Sequence, residues 1–322
     1  MVERVAMVIV MLALALSALA VAGYGSMPHA PISILADDAF TTENGVIAGK
    51  GTADSPYVIA GWTIEARTGV GIRIEATSAH VLIRDCKIAG DRRRGIGVLV
   101  AGTAPIRVAE SDFIDLRTGV FVYRNPRASV DANRFTNCHR GVEASESDGV
   151  VVRGNTFVDP REHGAFLWRC HEAVVECNVA SNGQNGVYLD SCHRAQLARN
   201  HAEGSQRGMF LWDCFDCTVI GNEFRGCDLA LALVHTSERN MVFHNLFIGN
   251  VRAATCDEAN NDWDNGYPSG GNYWGDGTAV DVRCGPSQEE PGSDGIADSA
   301  RIIPFAGVDR YPLIAPPPAD AP

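Results

Sequence analysis

The chain has 322 residues, of which 46% are apolar and 20% charged, a composition typical of a folded globular protein and not of a disordered one. Its formal net charge of −12 excludes the usual nucleic-acid-binding class, because such proteins neutralise phosphates with Lys and Arg. We therefore expect no nucleic-acid partner.

The N-terminus has the features of an export signal. Residues 5–22 are almost wholly apolar, follow Arg4 and end in Ala20-Val21-Ala22, a small-x-small pattern. We therefore assign residues 1–22 to a signal peptide and expect an extracytoplasmic protein, whether periplasmic, secreted or on the cell surface, with no membrane span after cleavage. Because the apolar stretch is about as long as the shortest membrane span, an uncleaved anchor is the alternative.

Residues 23–70 lack the repeat that follows them and contain two Gly-punctuated segments, Gly49-Lys50-Gly51-Thr52 and Gly61-Trp62-Thr63-Ile64. A stacked fold must close its open end. We therefore predict an N-terminal cap and the first strands here.

From Gly97 to about Asn250 one pattern returns every 22 or 23 residues. A glycine opens each unit, apolar residues alternate after it, and a polar corner residue, almost always Asn, stands fourteen residues later. The glycines are Gly97, Gly119, Gly141, Gly164, Gly186 and Gly208, and the corner residues are Ser111, Asn133, Asn155, Asn178, Asn200 and Asn222. Alternation is strand periodicity, and units this short cannot bury a core alone. We therefore predict an all-β fold, a parallel β-helix over residues 71–256 with rungs of about 22 residues.

Stacked rungs place equivalent residues above one another at roughly 4.8 Å. We expect an inward, hydrogen-bonded Asn ladder and a stacked Phe column. An additional unit opens at Gly71, with Asp85 predicted at its corner. Four extra residues before Gly97, within a run that includes Arg92-Arg93-Arg94, are predicted to form a projecting loop.

Beyond residue 256 the chain is rich in Asp, Asn, Gly and Pro, and it ends in a Pro-rich stretch. We predict a C-terminal cap over residues 257–314 and a disordered tail over 315–322. Ten cysteines in an exported chain make disulfides plausible, and Cys256 and Cys284 form the pair that we expect to pin this cap. Cys217 is predicted to be buried and unbridged.

Three cysteines occupy one column of the repeat, six residues after their glycines: Cys170, Cys192 and Cys214. His171 and His193 directly follow two of them. This pattern has three interpretations: small residues packed at a corner, one oxidised pair of thiols on neighbouring rungs, or a metal site formed by the five side chains if the thiols are reduced.

Aromatic residues gather at the second and fourth positions after the glycine, which face outward on a strand. Together with one acidic residue, they are Phe121, Tyr123, Phe166, Trp168, Tyr188, Asp190, Phe210 and Trp212. A large apolar surface of this kind indicates contact with something. Either a loop or the C-terminal segment covers it, or sugar rings stack on it. We predict the second, an outer face that binds a carbohydrate or cell-envelope ligand, on a monomer.

Catalysis on a polysaccharide would need paired carboxylates, or a base with a cationic partner. The candidates are Asp190 and Asp213, with Glu143 and Glu146 as further carboxylates and Arg124, Arg169 and His235 as partners. Exposed carboxylates are usually only solvated, so no catalytic residue is assigned outright. A polysaccharide hydrolase, lyase or epimerase is the alternative function.

Three groups of residues carry a family resemblance. They are Gly49-Lys50-Gly51-Thr52 with the segment Pro56 to Trp62, the Asn-cornered repeats, and the ending Gly271-Asn272-Tyr273-Trp274-Gly275-Asp276 with Asp309-Arg310-Tyr311-Pro312-Leu313. Together they resemble the NosD-type periplasmic copper-binding proteins over roughly residues 32–314. The resemblance implies a right-handed parallel β-helix of the class shared by carbohydrate-binding proteins and sugar hydrolases. It also implies copper delivery, a third candidate function for which the Cys–His column would supply the ligands.

Overall fold

The computed structural model describes residues 27–317, so the predicted signal peptide and residues 318–322 of the predicted tail lie outside the described residues. Within that range three sheets of ten strands each run along the molecule. In every rung the chain passes from the third sheet to the second and then to the first. The fold is therefore a parallel β-helix, which confirms the prediction from the repeat.

The strands are short, as units of about 22 residues require. The first sheet contains Met27–His29, Trp62–Ala66, Lys87–Gly90, Asp112–Ile114, Arg134–Thr136, Thr156–Val158, Val179–Ser181, His201–Glu203, Glu223–Arg225 and Leu246–Ile248. The second contains Val46–Ala48, Tyr57–Ala60, Val81–Arg84, Ile106–Ala109, Ser129–Asp131, Val151–Arg153, Val174–Glu176, Gln196–Ala198, Thr218–Ile220 and Met241–Phe243. The third contains Ile32–Ile34, Val70–Ile74, Ile96–Ala101, Thr118–Tyr123, Arg140–Ser145, His163–Trp168, Asn185–Asp190, Arg207–Trp212, Leu229–Val234 and Arg252–Cys256. Pairing within the sheets is parallel except between Val46–Ala48 and Tyr57–Ala60.

The core is a stack of equivalent side chains from successive rungs. Phe113 stacks on Phe135 with ring centroids 4.9 Å apart, and Phe135 stacks on Phe157 at 5.1 Å. The repeat glycine faces this column: a Cβ on Gly119 would lie 2.4 Å from the Phe135 ring and 2.6 Å from the Gly141 carbonyl oxygen. Glycine is therefore required here because the Phe ring and the next strand already fill the space of a Cβ.

The Asn corner residues form the predicted inward ladder. Asn178 is typical: its Nδ2 donates to the Val152 carbonyl and to Asn200 Oδ1, each at 2.9 Å, and its backbone N–H donates to the same Oδ1 at 3.1 Å. The ladder members are at most 5% exposed. The buried amides of the ladder are thereby paired, as burial of polar groups demands.

The ladder runs further than the regular repeats. Asn245 donates to Asn272 Oδ1, and Asn272 donates its backbone N–H to Asp309 Oδ2 at 2.8 Å. Trp274 Nε1 donates to the same oxygen at 2.9 Å. Burial raises the pKa of the Asp309 carboxyl to about 7, although these hydrogen bonds by themselves lower it. A buried acid therefore ends the ladder.

The prediction for Asp85 is wrong. Asp85 is exposed, and its neighbour Cys86 occupies the ladder column, with its backbone N–H donating to Ser111 Oγ at 3.1 Å. The strand register explains this difference, because Val81 pairs with Ile106 while Ile72 pairs with Val98. One extra residue therefore lies in the turn before the second-sheet strand, and the other three lie in the turn that contains the Arg run.

Residues beyond 256 fold over the last rung. Trp274 stacks on Phe247 with centroids 4.6 Å apart, and two short hairpins join Arg283–Cys284 to Glu290–Pro291 and Arg301–Ile303 to Gly307–Asp309. At the other end, a 3₁₀ turn spans Asp37–Ala39. The division into an N-terminal cap, repeats and a C-terminal cap stays a prediction.

The predicted disulfide between Cys256 and Cys284 is not formed, and both residues are free cysteines. The Cys256 thiol is buried and donates to the Glu258 carbonyl at 3.0 Å, whereas Cys284 lies in the hairpin that pairs with Glu290–Pro291. Cys217 is buried and unbridged as predicted, although it lies in the turn before a strand and not on the strand itself. Within residues 27–317 no helix is long and apolar enough to span a membrane.

Candidate functional site

The third sheet carries the predicted aromatic residues on its outer face. The strand register pairs Trp168 with Asp190 and Asp190 with Trp212 on successive rungs. All members are half-buried. We call this set the aromatic strip: Phe121, Tyr123, Phe166, Trp168, Tyr188, Asp190, Phe210 and Trp212.

Rings on neighbouring rungs of the strip touch. The centroid of Tyr188 lies 5.4 Å from that of Phe166 and 5.1 Å from that of Phe210. Trp168 and Trp212 are two rungs apart, which is roughly 10 Å at the spacing of strands in a sheet, with Asp190 between them. The strip therefore offers two indoles with a carboxylate between them.

One rung divides the strip into two blocks. Glu143 occupies the ring position between Phe121 and Phe166, and Ser145 lies between Tyr123 and Trp168. Glu143 accepts hydrogen bonds from Arg140 at 2.8 Å and from Thr118 at 3.2 Å. The carboxylate of this rung is paired with groups on the same face, so a polar rung interrupts the strip.

Cationic side chains from the flanking turns and strand starts lie over the rings. Each guanidinium carbon is within 5 Å of its ring centroid, close enough for a cation–π interaction. The pairs are Arg124 over Tyr123, Arg140 over Phe166, Arg169 over Trp168 and Arg207 over Phe210. His235 stacks on Trp212 with centroids 4.3 Å apart. The strip therefore presents hydrogen-bond donors beside apolar ring surfaces.

Within residues 27–317, the ring and cation contacts of the strip are with its own members or with residues at its edges. The C-terminal segment packs instead on the last rung, where Trp274 stacks on Phe247. This packing does not match the interpretation in which the C-terminal segment covers the strip.

Two of the candidate carboxylates meet at one hydroxyl. Ser191 Oγ lies 2.8 Å from Asp190 Oδ1 and 3.4 Å from Asp213 Oδ2, and Thr236 donates to Asp213 Oδ1 at 2.8 Å. In contrast, Glu146 is held by Arg124 at 2.8 Å. Asp190 and Asp213 are therefore the pair that lies beside the indoles without a cation bound to it.

A polar cluster at the strip's edge was missed by reasoning from the sequence. His163 is buried, its ring lies 5.0 Å from the rings of Phe166 and Tyr188, and Asn185 lies 3.1 Å from its Nδ1. Burial lowers the pKa of His163 to about 4, although neighbouring Glu162 acts in the opposite direction. His163 is therefore neutral near pH 7 and packs as an aromatic ring against Phe166 and Tyr188.

Glu162 beside it stays ionised. Burial alone would raise the pKa of this carboxyl, but the hydrogen bond from Arg140 and the positive charge of Arg140 bring the pKa below its ordinary value. A signal for the cluster existed in the sequence. The position just before the repeat glycine is polar in the five successive units from Gly119 to Gly208, with Thr118, Arg140, His163, Asn185 and Arg207.

The Cys–His column does not bring its five side chains together. The thiols of Cys170, Cys192 and Cys214 are fully buried and lie within hydrogen-bonding distance of backbone carbonyls, with the Cys170 thiol 3.4 Å from that of Trp168. His171 and His193 lie on the outside, partly exposed, with ring centroids 4.6 Å apart. The backbone therefore separates the thiols from the imidazoles.

Burial also makes these thiols poor ligands. It raises the pKa of Cys170 to about 12 and raises the pKa values of Cys192 and Cys214 well above the ordinary range. Metals bind the thiolate, which these groups do not form near neutral pH. Within the described range no group of three or more His, Cys, Asp or Glu side chains is arranged to hold a metal ion.

Comparison with known proteins identifies the fold's relatives. The family model described as periplasmic copper-binding protein (NosD) matches residues 82–279. No curated protein matches the chain. Among solved structures, DFA-IIIase from Arthrobacter chlorophenolicus A6 without its lid is similar at a TM-score of 0.50 and 14% identity, over 62% of this chain and 69% of that one.

Two further solved structures are similar. The Dettilon tailspike protein has a TM-score of 0.49 at 12% identity, over 73% of this chain and 63% of its own. XylC in complex with xylose has a TM-score of 0.48 at 10% identity, over 65% of this chain, which spans only 40% of XylC. At these identities the likeness concerns the fold alone.

Proposed function

The chain belongs to the NosD family, described as periplasmic copper-binding proteins, and from that premise we propose that it is an exported β-helix protein that binds a carbohydrate or cell-envelope ligand on its aromatic strip. It acts outside the cytoplasm and as a monomer.

One observation carries the proposal: the strip aligns half-buried rings on consecutive rungs of the outer face of one sheet. An apolar ring surface of this size on a soluble protein favours a binding role. The apolar face of a pyranose can stack on an indole, and Trp168 and Trp212 are spaced by roughly 10 Å, which suits neighbouring or alternate sugars of one chain. Asp190 between them and the guanidinium groups over the rings supply partners for hydroxyls.

Copper, which the family description names, does not fit the predicted Cys–His column. The three thiols face the core as buried, protonated groups and the two imidazoles lie on the other side of the backbone. We therefore propose no step that uses a metal at this position.

A second candidate function is polysaccharide cleavage or epimerisation. The observation that favours it is the meeting of Asp190 and Asp213 at the Ser191 hydroxyl, since glycoside-cleaving sites use paired carboxylates. If the protein turns over a polysaccharide that it binds, Asp190→Asn abolishes that turnover, measured as the release of new chain ends for cleavage or as a change in sugar composition for epimerisation. A variant that keeps full turnover would exclude the pair from catalysis.

The test of binding is calorimetric titration of the protein with neutral and acidic oligosaccharides. We expect Trp168→Ala and Trp212→Ala each to weaken binding by about 1 kcal/mol or more, since each removes a stacking ring. Phe305→Ala is the matched control, because Phe305 is an exposed aromatic residue, 81% accessible, outside the strip. Oligosaccharide binding that survives both Trp substitutions would contradict the proposal.

A further inference from the structure

The projecting loop that contains the Arg run directly precedes the third-sheet strand Ile96–Ala101 and is held by hydrogen bonds. Asp91 accepts the backbone N–H of Arg93 on its carboxylate at 2.8 Å and the N–H of Gly95 on its carbonyl at 2.7 Å. Arg92 donates to Asp115 Oδ1 through Nε at 2.9 Å and through Nη2 at 2.7 Å. Both acidic residues are therefore used to fix the loop.

A surface cavity of about 620 Å³ lies beneath this loop. It is lined by Gly90, Asp91, Arg92, Arg93, Asp115, His139 and Arg161. Three guanidinium groups face two carboxylates, and the guanidinium of Arg92 is already paired with Asp115. Within residues 27–317 Arg93 and Arg161 form no ion pair, and the lining holds one more guanidinium group than carboxylates. In a chain with a net charge of −12, this local excess of positive charge is unusual.

A second cavity of about 420 Å³ adjoins the first and shares Gly90, Asp91 and Arg93 with it. Its lining comprises Arg67, Thr68, Gly90, Asp91, Arg93 and Arg94. Arg94 also has no ion-pair partner in the described part of the chain, whereas Arg67 is paired with Glu65 at 3.2 Å. Among the described residues, guanidinium groups without an ion pair thus lie in two neighbouring cavities that share one carboxylate, that of Asp91. Two such positions suit a ligand with more than one acidic group.

The first cavity lies near the starts of third-sheet strands, two of which, Thr118–Tyr123 and His163–Trp168, carry members of the aromatic strip. His139 immediately precedes the strand Arg140–Ser145, and Arg161 precedes the strand His163–Trp168. Arg140 directly follows His139 of the cavity lining, lies over the Phe166 ring and is bound at 2.7 Å by Glu162, which directly follows Arg161. A sugar chain that extends along these strands from the rings toward the strand starts would bring its substituents to the cavity.

From this arrangement we infer that Arg93 and Arg161 form an anion-binding site that takes a carboxylate, sulfate or phosphate substituent of the ligand on the aromatic strip. Guanidinium groups bind such anions through paired hydrogen bonds, which are stronger than those between neutral groups. The inference rests on the proposed function for the sugar chain, but the anion site itself depends only on the cavity. The ligand class is thus an acidic glycan.

The experiment compares three oligosaccharides of equal length by calorimetry at low salt: a galacturonate oligomer, a sulfated galactan oligomer and an unsubstituted galactan oligomer. We expect an acidic oligomer to bind the wild-type protein at least about tenfold more tightly than the neutral one. The double variant Arg93→Gln/Arg161→Gln should bind the two acidic oligomers no more tightly than the neutral one. Its binding of the acidic oligomers should also lose most of its salt dependence. The control Arg134→Gln/Arg283→Gln removes the same charge at exposed sites elsewhere and should keep the discrimination.

The outcomes separate the anion site from the strip. If the double variant still prefers the acidic oligomer, or if the control loses the preference equally, the site assignment is wrong. If no oligosaccharide binds, the proposed function fails, and equilibrium dialysis with inorganic phosphate and sulfate then tests the cavity alone. Binding of either ion to the wild type but not to the double variant supports an anion site for a free anion. Absence of binding to both proteins overturns it.

Discussion

Replacement of Asn178 by leucine tests whether the ladder stabilises the β-helix through hydrogen bonds. Asn178 Oδ1 accepts the backbone N–H of Asn155 at 2.9 Å and its Nδ2 at 3.0 Å, and Asn178 Nδ2 donates to Val152 and Asn200. Leucine has a similar size but makes none of these bonds. The buried backbone N–H of Asn155 then has no acceptor, which costs about 1–3 kcal/mol. The other groups that lose a bond to Asn178 keep another partner and therefore add less, so we expect a total loss of stability of about 3 kcal/mol.

The assay is equilibrium urea denaturation followed by circular dichroism. Asn178→Ser should cost less than Asn178→Leu, because a hydroxyl can still accept the Asn155 N–H, as Ser111 Oγ accepts the N–H of Cys86 in the same column. Asn260→Leu, at an exposed position, is the control and should change the free energy of unfolding by less than about 0.5 kcal/mol. A loss below about 1 kcal/mol for Asn178→Leu, or equal losses for Leu and Ser, would refute the reasoning.

Three further predictions follow from burial in the rungs. Because burial lowers the pKa of His163 to about 4, its unfolded form takes up a proton near pH 6.5 while the folded form does not, so stability falls as pH drops from about 6.5 to 4, by at most about 3 kcal/mol. Urea titrations at several pH values should show a smaller fall for His163→Gln, and an equal fall would contradict the assignment. Cys177, which is exposed, should react with a thiol reagent in the native protein while Cys170 reacts only after unfolding. In a Cys284→Ser background, which removes the half-buried thiol, Cys177→Ser should remove the fast phase; a fast phase that persists in the double variant would contradict this prediction. Gly119→Ala should destabilise the protein by about 1–3 kcal/mol in urea denaturation, because the added methyl group meets the Phe135 ring. An unchanged free energy of unfolding would contradict this prediction and would mean that the Phe column can shift to accommodate a methyl group.

The periodic features could be predicted from the sequence because each is repeated. A glycine, an alternation of apolar residues and a corner Asn at a constant step specify a strand register, and with it the ladder and the outward face of the third sheet. Where the step changes, the prediction fails. One extra residue after Gly71 moves the corner from Asp85 to Cys86, and nothing local in the sequence marks which turn holds it.

Contacts outside the repeat were not accessible to this reasoning. The end of the ladder at Asp309 joins segments 37 residues apart, and no spacing rule relates Asn272 to that carboxylate. The predicted pairing of Cys256 with Cys284 rested only on their position outside the regular repeats, and the disulfide is not formed. The cluster around His163 depends on which side chains turn toward the strip, which the position before a glycine does not determine.

The most direct test of the central claim, binding of a sugar chain on the aromatic strip, is a crystal structure of the protein with the oligosaccharide that binds it most tightly. We predict electron density for pyranose rings lying against Trp168 and Trp212, with hydroxyls near Asp190, on the outer face of the third sheet. Density for the bound sugar on the first or second sheet, with the strip bare, would contradict the account.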